Sequence, residues 1–192
     1  TPKTSSAASD VYKRQPIHTY GGDIQCFGRS LMKPYQMKVF VDELKDALTP
    51  IQKALSLASH NAEIQHVEIA QSMLEQHELL ETPSCMPLMP NEDITVPSKW
   101  NHPCSGKHAG ILRGCEINGW PTKDYQSQEH PYHQAFKQAI QAVLGSDWEP
   151  QVTAIDGCGL PTFSNTLSEL GQLFSALAQN KDTDWIWSTT VS

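Results

Sequence analysis

The chain has 192 residues, 39% of them hydrophobic and 18% charged, which is enough for one domain with an apolar core and ordinary for a globular protein. Its formal net charge of −7 argues against nucleic acid or an anionic membrane surface as a partner, and no apolar run approaches the roughly 20 residues of a membrane helix. The five cysteines (Cys26, Cys85, Cys104, Cys115 and Cys158) are odd in number and irregular in spacing, with no visible signal peptide. That argues against a disulfide framework and for a reducing, cytoplasmic setting.

Residues 1–15 differ in character from the rest of the chain, being small and polar and then basic at Lys13-Arg14-Gln15. We read them as a non-native or disordered arm and take 16–192 as a single domain with no internal repeat or linker. From Ile17 to Phe27, glycines and scattered hydrophobics predict a strand or two with turns. Thr49-Pro50 predicts a helix start, with Thr as N-cap and Pro in the first helical position. Ile51, Ala54, Leu55 and Ala58 then share one face, as do Ile64, Val67, Ala70 and Leu74 in a second helix. Prolines at 83, 87, 90, 97 and 103 make Glu81–Pro103 an extended loop, of a length that is often functional. A third helix carries Phe136, Ile140, Val143 and Leu144 and stops at Gly145. Val152–Ile155 is expected as a short buried strand running into a glycine turn. A fourth helix, with Leu167, Leu170, Phe174 and Leu177, opens at Thr166-Leu-Ser-Glu169, which has the form of a capping box. Helices mixed with short strands give an α/β or α+β class.

Four segments carry possible chemistry. In Ser30-Leu-Met-Lys33 a helical turn would put hydroxyl and amine on one face, and a lysine of lowered pKa can act as base for a serine nucleophile; Pro34 biases Lys33 away from helical dihedrals. Ser59-His60-Asn61-Ala62-Glu63 is either a second nucleophile or substrate clamp, or simply the N-cap of the next helix. His102-Pro-Cys104-Ser-Gly-Lys107-His108-Ala-Gly110 concentrates donors and metal-ligand types among small residues that let backbone approach a ligand; its plainer reading is a tight loop around a buried cysteine. Asp156-Gly-Cys158-Gly-Leu-Pro161, between strand and helix, is an active-site turn or an ordinary one.

Taken together and in this order, these segments resemble the thermolabile (Rhizobium-type) L-asparaginases. The resemblance rests on Arg29-Ser30-Leu-Met-Lys33-Pro-Tyr-Gln36, on Ser59-His60 with Glu63, on Cys-Ser-Gly-Lys-His-Ala-Gly at 104–110 and on Asp-Gly-Cys-Gly-x-Pro at 156–161. Gly119-Trp-Pro-Thr122, Tyr125 and His130-Pro131 are also similar, so that it covers roughly Gly21 to Ala178. It implies a fold similar to penicillin-binding proteins and serine β-lactamases, a central sheet with flanking helices, and hydrolysis of the L-asparagine side-chain amide through an acyl-enzyme. By resemblance Ser30 would be the nucleophile, Lys33 its proton acceptor, Arg29 their charged neighbour and Ser59 a second active-site serine supported by a later lysine. Cys104, Lys107 and Cys158 would bind a Zn²⁺ that assists substrate binding, with His60, Glu63, His108 and Asp156 around substrate and ligands. Backbone N–H groups of the glycine-flanked turns would hold the oxyanion. The family also suggests a homodimer.

Two departures stand out. Asn61-Ala62 replaces the usual Ser-Gly, and the chain ends at Ser192 before the lysine expected to support Ser59. The run Asp184-Trp-Ile-Trp187 and its continuation do not resemble the family, so a C-terminally truncated domain is expected. A different class of reading is a non-catalytic fragment that binds zinc or an amino acid. A zinc nucleobase deaminase is a further alternative, since Pro103-Cys104-x-x-Lys107 is similar to half of that signature; lysine replaces its second cysteine, and His60-Asn-Ala-Glu63 is one residue too long for His-x-Glu.

Overall fold

The computed structural model describes residues 6–9, 16–20, 22–76, 78, 80–88, 94–179 and 185–191, the first two segments as backbone only. Most of the expected N-terminal arm thus lies outside the described residues; within it, β1 (Ser6–Ser9) pairs antiparallel with β2 (Pro16–Tyr20). The architecture is mixed α/β. A three-stranded antiparallel sheet has the order β3 (Gln25–Phe27), β5 (Pro161–Thr166), β4 (Thr153–Ile155), with Phe27 opposite Ser164 and Thr153 opposite Phe163. Eight α-helices lie among the described residues: α1 (Lys33–Lys38), α2 (Glu43–Ala47), α3 (Pro50–Leu57), α4 (Ile64–Gln71), α5 (Ser105–Asn118), α6 (Pro131–Leu144), α7 (Leu167–Gln179) and α8 (Trp185–Val191).

Local chemistry explains most of the boundaries. Thr49 and Gln52 form a capping box at the start of α3, with Pro50 in its first turn. Thr166 and Glu169 exchange hydrogen bonds at the head of α7, N–H to Oε2 at 2.7 Å and N–H to Oγ1 at 3.1 Å. The other carboxylate oxygen of Glu169 accepts from the Trp148 indole at 3.0 Å. Gly119 ends α5 with φ +65, a left-handed position that glycine takes without steric cost. Pro34 does not displace Lys33, which is helical at φ −54, ψ −41. A proline in the first helical turn loses no hydrogen bond, and the Lys33 amine is anchored elsewhere.

Helix α5 is the spine of the core, buried at ten of its fourteen positions. Gly106, Gly110 and Gly114 fall one turn apart on a single face. Added Cβ atoms would lie 2.7 Å from the Leu55 carbonyl oxygen, 3.0 Å from Met37 Sδ and 2.3 Å from the Phe40 ring. The small residues of this motif therefore bring α5 against α3 and the α1–α2 segment, rather than against a ligand. Gly114→Ala should cost about 2 kcal/mol through overpacking, even after the helix-propensity gain. A thermal melt should register this as a drop of roughly 4–8 °C for a chain of this size; an unchanged Tm would contradict the packing.

Two expected burials are not found. Val152, just before β4, and Ile155, within it, are 52% and 61% exposed; among the described residues β4 is an edge strand, paired to β5 alone. The apolar stripe of α3 also fails as core: Ile51, Ala54 and Ala58 are exposed, and with Leu55 and α4 residues Gln65, His66 and Ile69 they line a solvent-open groove. The packed side of α3 is Leu55 and Ser56, the side that meets the glycines of α5. The run at 185–187, by contrast, is docked. Ile186 is fully buried, and Trp185 Nε1 donates to Val41 O at 2.8 Å.

Candidate active site

All four sequence segments converge. Arg29, Ser30, Ser59, His102, Pro103, Cys104, Asp156, Gly157 and Cys158 line one cavity of about 410 Å³, closed on its other side by Pro83, Cys85, Met86 and Leu88. That apolar wall is the Glu81–Pro103 loop, held in shape by a Cys85–Ser98 backbone bridge and by the Asn101 amide, which donates to Cys85 O and Val96 O. His102 belongs to the cluster singled out at 102–110 and the wall residues to the loop of functional length, but no motif gives Pro83, Cys85, Met86 or Leu88 a role by itself.

Arg29–Met32 form a 3-10 turn that runs into α1. Arg29 has φ +48, a strained conformation for a residue with a Cβ and of a kind that gathers at functional sites. Ser30 is exposed on the cavity while Lys33 is only 1% exposed. The lysine amine does not reach for Ser30. It donates to Ser59 Oγ at 2.8 Å and to the carbonyl of Ala58. Burial, with the positive charge of Lys107, lowers Lys33 to about 8, against the opposing pull of Cys104, Cys158 and Asp156. The base expected for the first serine thus sits on the second.

Ser59 does not cap a helix: α4 begins at Glu63 as N-cap without a side-chain bond. Glu63 is exposed and accepts from the Asn61 amide at 2.9 Å, away from the cavity lining. His60 fixes the loop. Its Nδ1 accepts from Ala62 N–H at 3.1 Å, so the proton resides on Nε2, which donates to Ser105 Oγ at 2.8 Å; Ser105 in turn donates to Trp100 O. Burial and the neighbouring His66 and Lys33 push His60 down to about 4, so it stays neutral. Ala62 has φ +61, the left-handed geometry for which glycine, usual at this position in the resembling family, is the natural choice.

The cysteine cluster is equally close-knit. Lys107 Nζ lies 3.1 Å from Cys158 Sγ, and Cys104 is a neighbour of both. Cys158, against the effect of burial and with help from Lys107 and Lys33, lowers Cys104 to about 6; Cys158 is raised. Arg29 clamps Asp156 through Nε at 2.9 Å and Nη2 at 2.7 Å. Burial alone would raise the Asp156 carboxyl, but Arg29 and the Gly157 N–H hold it below the ordinary range. The Gly157 and Gly159 N–H groups already donate to Asp156, so neither is left for an oxyanion. His108 is fully buried, bonded through Nδ1 to Tyr125 OH at 2.8 Å, and held at about 4 by burial and Lys107.

These residues make an amine–hydroxyl pair, Lys33 buried and Ser59 exposed, at a cavity whose lining also holds two thiols and an arginine–carboxylate pair. The sequence model of the L-asparaginase II family matches residues 11–190. The chain belongs to the L-asparaginase II family. The match takes in 11–15, set apart above by composition, and 185–190, set apart above as unlike the family. No curated protein sequence matches the chain. Membership makes the chain an asparaginase-type hydrolase in general terms, with a small-molecule substrate. All five cysteines are free thiols, as the irregular spacing implied. Among the described residues no helix is long and apolar enough to cross a membrane.

Proposed function

We propose that the chain is an L-asparagine amidohydrolase that works through a serine acyl-enzyme, with Lys33 as the base. The observation that carries this reading is the 2.8 Å hydrogen bond from Lys33 Nζ to Ser59 Oγ at the edge of the cavity. A serine is a weak nucleophile until a base takes its proton, and a lysine near 8 is roughly a tenth neutral at pH 7.

In this reading Ser59 Oγ attacks the side-chain amide carbon while neutral Lys33 accepts the hydroxyl proton. Collapse of the tetrahedral intermediate breaks the C–N bond, and Lys33 returns the proton so that ammonia leaves. Water, deprotonated by the same amine, then attacks the ester carbon; the bond to Ser59 Oγ breaks, Lys33 hands the proton to that oxygen, and aspartate is freed. Ser30, on the same cavity, is placed to hydrogen-bond the substrate. A second reading keeps Ser30 as nucleophile, as the Ser-x-x-Lys spacing suggests. Its support is the strained Arg29 immediately before it, and the two readings separate by mutation.

The donor set Cys104, Lys107 and Cys158 suits Zn²⁺, since two sulfurs and an amine converge and one thiol is already acidic. Among the described residues no three His, Cys, Asp or Glu side chains gather to hold a metal, so lysine is needed to complete that set. Bound there, zinc would supply a positive centre for the substrate's carboxylate. The Arg29–Asp156 pair frames the same side of the cavity. The likeness to penicillin-binding proteins and the homodimer belong to this reading and rest on the family resemblance; the cytoplasmic setting belongs to it too and rests on the cysteine pattern.

Because burial lowers Lys33 from 10.5 to about 8, the amine becomes a competent base as pH rises through that value. The kcat/KM for asparagine should fall about tenfold per unit below pH 8 and level off above it. A flat profile between pH 6 and 9 would remove Lys33 from the role. The reading itself is tested by ammonia release from L-asparagine by the purified chain: stoichiometric release of ammonia and aspartate supports it, and binding of the amino acid without release favours the non-catalytic alternative.

A further inference from the structure

One dipeptide, Tyr125–Gln126, bonds three separate segments around the site. The Tyr125 hydroxyl accepts from Glu81 N–H at 3.3 Å, at the root of the loop that forms the apolar wall, and bonds His108 Nδ1 at 2.8 Å. His108 is the helical neighbour of Lys107, whose amine meets Cys158. Gln126 Nε2 donates to the Cys158 carbonyl at 3.3 Å. Its side chain also fills the space beside Gly159 (φ +91), where a Cβ would come within 2.6 Å of it. From behind, His133 Nε2 donates to the Tyr125 carbonyl at 2.9 Å. The preceding residue, Asp124, is held at φ +55, a strained conformation that persists only where its surroundings enforce it. Tyr125 is fully buried, and neither residue of the pair lines the cavity.

We propose that Tyr125 and Gln126 are positioning residues that set the spacing between the Glu81 loop, Lys107 and the Cys158 turn, and so determine substrate binding rather than the chemical step. The division follows from the fold. Lys33 and Ser59 are carried by α1 and the turn after α3, which the dipeptide does not touch through any of these bonds. Two of the segments that it ties, the Glu81 loop and the Cys158 turn, line the cavity themselves, and the third, at Lys107, meets Cys158 behind it. Loss of the tie should therefore raise KM and spare kcat, because an interaction equal in ground and transition state changes binding alone.

The test uses Tyr125→Phe, which removes one buried hydroxyl and keeps the ring, beside Gln126→Ala, which alters only a partly exposed amide. Hydrogen exchange should speed up about tenfold around Glu81 in the tyrosine variant and around 156–160 in both, with α3 unchanged. KM for asparagine should rise about tenfold in each, with kcat within twofold. Unchanged exchange in these segments overturns the proposal. So does faster exchange with KM unchanged, which is what simple loss of folded enzyme would give. The kinetic comparison rests on the amidohydrolase reading. If the parent chain releases no ammonia, that reading fails, and the exchange comparison alone then decides the clamp.

Discussion

Lys33→Met should lower kcat/KM for L-asparagine by about a thousandfold, the usual scale for losing a positioned general base. The substitution keeps an unbranched side chain of similar reach in a site that is 1% exposed. It removes only the amine that bonds Ser59 Oγ and Ala58 O. The chain should nevertheless fold. Burial lowers this amine to about 8, so its charged form is disfavoured in the folded state, and replacing it relieves that penalty. The sign is definite: a lysine whose pKa falls on folding opposes the folded state below that pKa, and the opposition fades as pH rises towards 10.5. Loss of activity with an undiminished melting temperature in neutral buffer is the expected signature. Activity within tenfold of the parent would show that the Lys33–Ser59 contact is structural. The assay is steady-state ammonia release, with folding followed by circular dichroism.

Ser59→Ala should be as damaging as loss of Lys33, and the double variant little worse than either, because residues that act as one unit are strongly non-additive. Ser30→Ala should cost far less, on the order of tenfold, equivalent to one hydrogen bond to substrate at about 1.4 kcal/mol. The asymmetry is a consequence of geometry. Both hydroxyls face the cavity, but the amine that lowers the barrier for one of them is already bonded to Ser59. If Ser30→Ala instead abolished turnover while Ser59→Ala retained it, the lysine would have to swing between the hydroxyls, and the Ser-x-x-Lys spacing would be the better guide. Initial rates of the three variants at saturating and limiting asparagine separate the cases.

Much of the fold is legible in the residues. The Thr49 cap with Pro50, the Thr166–Glu169 capping pair, the stop at Gly145 and the proline-ruled loop all come from local rules that tertiary context had no reason to override. The four motif segments also meet, as their ordered set implies. The rest depends on partners far away in the chain. That Lys33 serves Ser59 is a contact across 26 positions, whereas the three-residue spacing points to Ser30. The apolar runs of α3 and β4 look buried by periodicity, but periodicity cannot say which face finds a neighbour. Here the glycines of α5 draw in Leu55 and Ser56, and Ile51 is left outside. Those glycines suggest room for a ligand in the sequence and provide room for another helix in the fold. Tyr125 matches the family pattern in the sequence without any reason for its presence, because its bonds reach Glu81 and His108 from a loop of its own.

The central claim is that Lys33 activates Ser59 to form an aspartyl ester. Its most direct test is an acid quench of the enzyme within one turnover of L-asparagine, followed by peptide mass mapping. An aspartyl adduct is expected on the peptide that contains Ser59, present in the parent chain and missing from Lys33→Met. An adduct on the Ser30 peptide, or turnover with no adduct on either serine, would contradict it.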